Sequence, residues 1–289
     1  MKPGIDTARR LYGELVRGRT RVRVVTDNDI SGESPASFIL SPYRSGTTLL
    51  RYCLDSHPRL AVPPETDYFM ALGAILQDGP SLVGLRDLGY DEAAVVASIA
   101  RFGRHFLDVY AAGQSAEQWC DKSPRYAEDP EFLTRFFPHG RFIVLHRHPL
   151  DQVDSFTKGG AFVHSALAGA RPGEEVVLRA AEYWDRVTAN LVAFSQRHPE
   201  ETIVITYEDL CADPEGVLGR VLEHLGLEWS TEVLNYHAHD HDVGREAGRV
   251  SGTVGFAATT GRWQAWPDEL VQRSWEIVSA TAEGLDYDH

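Results

Sequence analysis

The sequence predicts an α/β protein in which a central parallel sheet is flanked by helices. Three observations predict it. Short β-branched runs alternate along the chain with longer stretches of helical spacing, and strands that alternate with helices pair in parallel. The composition, 43% hydrophobic and 24% charged, is that of a soluble globular chain with a sizeable core. Polar residues gather where the strands end, at Arg44 to Thr48, Arg147 and Tyr207. In open parallel sheets, ligands collect beyond those carboxyl ends.

Residues 5–19 carry the spacing of an amphipathic helix, and the polar stretch TDNDISGES connects it to a strand at Phe38 to Leu40. Helical spacing covers 47–56 and 91–111. In RFIVLHRHP a strand runs from Phe142 to Leu145, is closed by Pro149, and is followed by a helical pattern through Asp151 to Phe156. A further buried strand is expected at Ile203 to Thr206, between helical stretches Glu174 to Arg197 and Asp213 to Leu225. With no repeat and no low-complexity linker, residues 1–289 read as a single domain, of which 1–36 form a helical lead-in.

Several function classes are disfavoured. The formal charge of -14 argues against nucleic acid as a partner, because a phosphate backbone is bound through clustered Lys and Arg. Any anion must therefore be held by a local basic site. No apolar run reaches the roughly 18 residues of a membrane span, and MKPGIDTARRLYGEL lacks the apolar core of a signal peptide, so the expected location is the cytoplasm. Cys53, Cys120 and Cys211 are far apart with no CxxC pair, which indicates reduced, packed thiols.

The stretch FILSPYRSGTTLLRYCLDSHP, Phe38 to Pro58, runs an apolar strand into a turn of small residues and then into an apolar helix. A turn around Gly46 with a helix beginning near Thr47 presents backbone N–H groups and a positive helix end to an anion. A lone SGTT turn also serves as a simple helix cap. Against the nucleoside-triphosphate pattern GxxxxGK[ST], Ser41 to Thr48 match at Gly46 and Thr48, but Ser41 replaces the first glycine and Thr47 the lysine. That lysine would hold the β- and γ-phosphates, and a strand-end aspartate would help hold magnesium. Here the strand from Phe142 ends in HRHP. The turn suits a phosphate ligand without a magnesium-bound triphosphate chain, which leaves a phosphate-loop kinase as the less favoured enzyme.

Arg147 at a strand end and Ser155 in the following helix can face a second anion near the same sheet edge. The alternative is a helix N-terminal region capped by its own side chains. Two anion sites suggest a nucleotide bearing two separated phosphates. On these residues the chain resembles the sulfotransferases that use 3′-phosphoadenosine 5′-phosphosulfate (PAPS). Arg44-Ser45-Gly46-Thr47-Thr48-Leu49-Leu50 looks like their 5′-phosphosulfate loop, and Arg147 with Ser155 like their 3′-phosphate site. RSGTTLLR through LDSHPRLAVPPET is similar in style to the tyrosylprotein sulfotransferases and their bacterial relatives, although Tyr43 stands where proline is often found. The resemblance covers 37–68, 119–157 and 202–211, and it implies the P-loop-like nucleotide-binding fold of sulfotransferases.

The resemblance also implies roles. Sulfuryl transfer needs in-line placement of acceptor oxygen, sulfur and leaving oxygen, with donors for the charge on the oxygens. Arg44 is placed for that, and Lys122 in WCDKSPRY would join it. No metal is expected. Glu65 would take the acceptor hydroxyl proton, although PETDYF also reads as an ordinary helix start. Lys122 has the alternative of a surface ion pair with Asp121. In SGTVGFAATTGRWQAW, Gly261-Arg262-Trp263 resembles the loop that closes over the nucleotide, with Arg262 reaching it and Trp263 either stacking on adenine or packing in the core. Tyr207 is an adenine-side candidate. NYHAHDHD would align His237, His239 and His241 on one face if it were a strand, as a zinc site requires; a solvated loop is the competing reading. Residues 66–118 and 158–180, with Tyr68, Phe69, Phe102, Phe106 and Phe162, are expected to shape the site of a hydroxyl-bearing acceptor. Against the enzyme stands a non-catalytic nucleotide-binding module.

Overall fold

The computed structural model describes residues 35–158, 167, 171, 173–242 and 255–289. The helix expected at 5–19, the connection that follows it, and Phe162 lie outside these residues.

Five strands form one sheet: β1 (Ser37–Leu40), β2 (Leu60–Ala61), β3 (Gln118–Lys122), β4 (Arg141–His146) and β5 (Thr202–Thr206). Their order is β2-β3-β1-β4-β5, and each neighbouring pair is parallel. Phe38 on β1 is level with Asp121 on β3 and Phe142 on β4; β3 ends level with Ile39, and β4 runs two residues beyond the partner of Leu40. Side chains alternate across the sheet. Phe38 and Leu40 enter one core layer and Ile39 the other.

The helices divide between those layers. Helix α1 (Thr47–Asp55) covers the Ile39 face. Across the sheet lie α2 (Tyr68–Ile75), α3 (Gly79–Asp87), α4 (Glu92–Gly113), α5 (Glu131–Phe136), α6 (Pro149–Thr157) and α7 (Glu174–Arg197). Helices α8 (Tyr207–Ala212) and α9 (Pro214–His224) return to the Ile39 face, and α10 (Asp268–Glu283) packs with the Phe38 layer. That layer is aromatic. Phe38 meets Phe69, Trp119, Tyr126, Phe137 and Phe142, with ring centroids 5.4–6.2 Å apart.

Local signals set the boundaries. Pro149 opens α6, where its missing N–H costs nothing. Asp213 caps α9 by accepting from the Gly216 N–H. One expectation is corrected: β5 is an edge strand, not a buried one. Among the described residues it pairs only with β4, and of its residues only Ile205 is buried while Val204 is 44% exposed.

Candidate active site

The strand order reverses at β1. From its end the chain crosses through α1 to β2 at one edge, and β4 lies on the other side. A crevice opens at such a switch point beyond the strand ends. The loop 41–46 follows β1, Lys122 ends β3, Arg147 follows β4 and Tyr207 follows β5, so these groups converge on one edge of the sheet.

The loop after β1 is held from beneath. Ser45 Oγ donates to the Pro42 carbonyl at 2.8 Å, and Gln152 Nε2 on α6 donates to the Tyr43 carbonyl at 2.7 Å. Gln152 is itself fixed by the Trp184 indole N–H. Arg44 and Gly46 adopt left-handed backbone, with φ of 73° and 95°. Helix α1 then starts with no side-chain cap and no acidic residue in its first turn. Its opening N–H groups and positive dipole end are thus offered to a ligand.

Gly46 is required for space as well as for its φ. A Cβ there would lie 2.3 Å from Tyr207 Cδ2. The Tyr207 ring fills that space, carries the Arg147 guanidinium 4.5 Å from its centroid, and accepts the Thr259 N–H on its hydroxyl at 3.3 Å. Arg147 donates to the carbonyls of Arg44 and Thr259, while its buried Nε–H has no hydrogen-bond partner among the described residues. A buried donor of this kind is what an incoming anion satisfies. Arg44 Nε donates to Ser155 Oγ at 3.2 Å. Ser155 sits in the last turn of α6 and therefore does not cap that helix's start. Arg44, Arg147, Ser155 and Tyr207 thus form one cluster.

The segment 259–263 closes against this cluster. The Gly261 N–H donates to Asp151 Oδ1 at 2.6 Å, and burial pushes the Asp151 carboxyl above its ordinary pKa. Arg262 is exposed in the turn that follows. Trp263 is half-buried and stacks on His148, centroid to centroid 5.8 Å and nearly parallel, rather than lying in the deep core.

A second cluster lies across β1. Lys122 is fully buried and its Nζ donates to Glu65 Oε1 at 2.7 Å; the Glu65 side chain is 23% exposed. Lys122 is therefore no surface partner of Asp121. Asp121 is also fully buried, but it accepts from the Tyr126 hydroxyl at 2.7 Å and from Thr66 Oγ1 at 3.1 Å. Ser123 Oγ accepts the N–H groups of Thr66 and Asp67. The two clusters meet at Tyr43, whose hydroxyl is pushed well up by burial and then by the charges of Asp67 and Glu65. Arg51 secures the approach to Glu65 from behind: fully buried on α1, it donates to the carbonyls of Val62 and Pro63.

Desolvation raises the Asp121 pKa from 3.8 to about 6, with the Tyr126 and Thr66 hydroxyls and Lys122 opposing. Tyr68 and Cys120 also feel this charge. A carboxyl held protonated more tightly in the folded state contributes stability that is complete below pH 3.8 and is lost as pH rises through about 6. Asp121→Asn stays neutral throughout. Its melting temperature relative to the unmutated protein is therefore expected to climb between pH 4 and pH 7, measured by thermal unfolding at fixed ionic strength; a flat difference contradicts the shift.

The histidine segment is not a strand face. Residues Tyr236–Ala238 form a 3₁₀ turn, His239 pairs with Glu232, and His241 bonds Asp55 and stacks on Tyr52 at 4.4 Å. Among the described residues no three His, Cys, Asp or Glu side chains come together as a metal site. Of the expected acceptor aromatics, Phe102 and Phe106 are exposed and Tyr68 is half-buried beside Phe106, but Phe69 is buried in the core against Phe38.

Sequence reasoning missed Asp121, Ser123, Thr66, Tyr43 and Arg51. An available signal was the row of polar residues Asp121, Lys122 and Ser123 between Trp119-Cys120 and Pro124. Arg51 offered another, a cation inside the apolar run LLRYCL.

A parallel sheet with this loop after its first strand is a P-loop-like nucleotide-binding fold. The pattern of the sulfotransferase family matches residues 35–231, and the chain belongs to that family. It is 29% identical over 252 residues to protein-tyrosine sulfotransferase 2 of Gallus gallus, covering 81% of this chain and 63% of that protein. Nodulation protein NoeE of Sinorhizobium fredii is 29% identical over 217 residues, 69% of this chain and 52% of that one. The chain thus spans less than two thirds of the length of either relative. Among solved structures, the sulfotransferase domain from the Synechococcus PCC 7002 olefin synthase superposes with a TM-score of 0.63 at 26% identity, over 89% of this chain and 96% of that domain.

Proposed function

We propose that the protein moves the sulfuryl group of PAPS to the hydroxyl of a small-molecule, carbohydrate or tyrosine-type acceptor. The observation that carries this reading is the Lys122–Glu65 pair set beside an uncapped anion loop at the switch point of the sheet. The N–H groups of residues Ser45, Gly46, Thr47 and Thr48 receive the 5′-phosphosulfate, and Arg147 with Ser155 the 3′-phosphate. Arg262 reaches the nucleotide from the closing segment. Tyr207 supports the loop from below, under Gly46 and Arg147.

Glu65 takes the proton as the acceptor oxygen bonds to sulfur. The bond from sulfur to the 5′-phosphate oxygen breaks, and adenosine 3′,5′-bisphosphate leaves with the electron pair. Lys122 and Arg44 lower the cost of charge on the leaving and equatorial oxygens, as fixed donors do in a site of low dielectric. Glu65 suits its part because it is partly exposed to an acceptor while its partner is fully buried. The helical region 66–118 stands next to it on the acceptor side.

A labelled-sulfate transfer screen over phenols, sugars and tyrosyl peptides tests the reading. Binding of adenosine 3′,5′-bisphosphate with no transfer to any acceptor favours a non-catalytic module. Triphosphate hydrolysis that requires magnesium and is abolished by EDTA favours a kinase-like enzyme; sulfuryl transfer is expected to survive EDTA, because arginine and lysine supply the charge.

The 3′-phosphate assignment has its own measurement. Calorimetry is expected to show adenosine 3′,5′-bisphosphate binding more tightly than adenosine 5′-monophosphate by roughly 1.5–3 kcal/mol, the worth of a charge-assisted hydrogen-bond contact. Equal affinities would remove Arg147 and Ser155 from the site.

A further inference from the structure

We infer that Asp121 is a positioning residue for the Glu65 carboxylate and acts through the Thr66 hydroxyl. The inference rests on the reading of Glu65 as the base. Residues Asp121, Lys122 and Ser123 are consecutive at the end of β3, and each grips one part of residues 65–67. Lys122 Nζ holds the Glu65 carboxylate at 2.7 Å. Ser123 Oγ takes the backbone N–H groups of Thr66 and Asp67 at 3.2 and 3.0 Å. Asp121 takes the Thr66 hydroxyl at 3.1 and 3.3 Å. The Tyr126 hydroxyl, 3.4 Å from Thr66 Oγ1, closes the triangle by donating to Asp121 at 2.7 Å.

The energetics make this arrangement informative. The fully buried Asp121 carboxylate takes the Thr66 and Tyr126 hydroxyls and the Lys122 backbone N–H, and the nearby Lys122 ammonium bonds Glu65. Burying such a group is unfavourable, and an apolar residue of similar volume would fill the space at lower cost. What the carboxylate adds is a fixed direction for Thr66, whose backbone joins Glu65 directly. Asp67 turns the chain with φ 56°, a left-handed conformation in which a non-glycine residue needs such external support. Arg51 holds the Val62 and Pro63 carbonyls and Ser123 the N–H groups of Thr66 and Asp67, while the Asp121 bond fixes the direction of the Thr66 side chain next to Glu65.

Catalysis by a base depends on placement, and a displacement of about 1 Å can cost about 10²-fold in rate. Asp121 and Thr66 touch neither nucleotide nor acceptor in this account. Their removal is therefore expected to appear in kcat and not in nucleotide affinity.

The test uses the full chain and follows single-turnover consumption of sulfate-labelled PAPS, with N-acetyltyrosinamide as acceptor probe and water as the nucleophile in its absence. Thr66→Val keeps the shape and removes the hydroxyl; it is expected to slow the step roughly 10–100-fold and to leave the affinity for adenosine 3′,5′-bisphosphate within about twofold. Thr66→Ser restores the hydroxyl and is expected to recover most of the rate. Asp121→Asn keeps an oxygen that accepts from the Thr66 hydroxyl and is expected to slow the step less than Thr66→Val. In a Glu65→Gln background neither change should slow the step by more than about twofold, since groups that act through one another are non-additive.

Losses that multiply in the Glu65→Gln background, or a folded Thr66→Val protein with full rate and only a lower melting temperature, overturn the inference while leaving Glu65 as base. Full rate in Glu65→Gln alone removes the base reading, and the inference with it. Because Thr66→Ser keeps the fold's own hydrogen bond, a failure of Asp121→Asn to fold does not decide the matter: the Val and Ser pair at Thr66 does.

Discussion

Glu65→Gln is expected to slow sulfuryl transfer on the order of 10²–10⁴-fold while leaving nucleotide affinity almost unchanged. The geometry makes the substitution a clean one. Glutamine keeps the length of the side chain, and its carbonyl oxygen can still accept from Lys122 Nζ, which now bonds Glu65 Oε1 at 2.7 Å. The buried lysine is not stranded, so the fold should survive. What is lost is the ability to take a proton. Arg44→Ala is a different case. Arg44 opens the anion loop, its carbonyl accepts from Arg147, and its Nε bonds Ser155. Removing its side chain is expected to weaken nucleotide binding and transfer together. Steady-state kinetics with saturating acceptor, beside calorimetry with adenosine 3′,5′-bisphosphate, separates the two patterns. If Glu65→Gln kept full activity in a folded protein, the base would have to be another acid or a histidine.

The parts of the molecule that announced themselves in the sequence are those governed by local periodicity. Helix α7 runs over Glu174–Arg197 as its spacing indicates, and β4 ends before the proline that opens α6. Strand β3 was not legible, because QWCDK holds no β-branched residue and becomes a strand only by pairing with β1 and β2. Helix α2 begins where PETDYF reads as a helix start, but from left-handed backbone at Asp67 with no side-chain cap. The same division holds at the site. Gly46, Arg147, Lys122 and Glu65 stand in short patterns that have a chemical meaning. Asp121 and Arg51 gain theirs only from partners far along the chain, at Thr66 and at Pro63 and Asp242, which no local pattern reports. The pairing of Arg44 with Ser155, 111 residues apart, is of this kind too: each residue was visible as an anion ligand, but their contact was not.

Gly46→Ala is expected to abolish most of the affinity for adenosine 3′,5′-bisphosphate, by about 10²-fold or more, and to destabilise the fold by roughly 1–3 kcal/mol, because strain in the backbone and overpacking act at one atom. The backbone term comes from φ 95°, a conformation that glycine adopts freely and L-residues do not. The packing term comes from Tyr207, whose Cδ2 and Cε2 would lie 2.3 and 2.8 Å from the new methyl group. That ring cannot retreat independently. It lies under the Arg147 guanidinium at 4.5 Å and takes the Thr259 N–H on its hydroxyl, so its displacement moves Arg147, proposed for the 3′-phosphate, and the segment at Thr259 along with the loop after β1. One methyl group thereby disturbs three contacts to one ligand, which is why the affinity should fall further than the stability. Calorimetry with the bisphosphate and a thermal melt of the same preparation measure both quantities. Tyr207→Ala in the Gly46→Ala background should recover part of the stability by removing the clash, but not the affinity, since φ remains strained and Arg147 has lost its platform. A Gly46→Ala protein that bound the bisphosphate as tightly as the unmutated one would show that the loop after β1 does not hold the nucleotide.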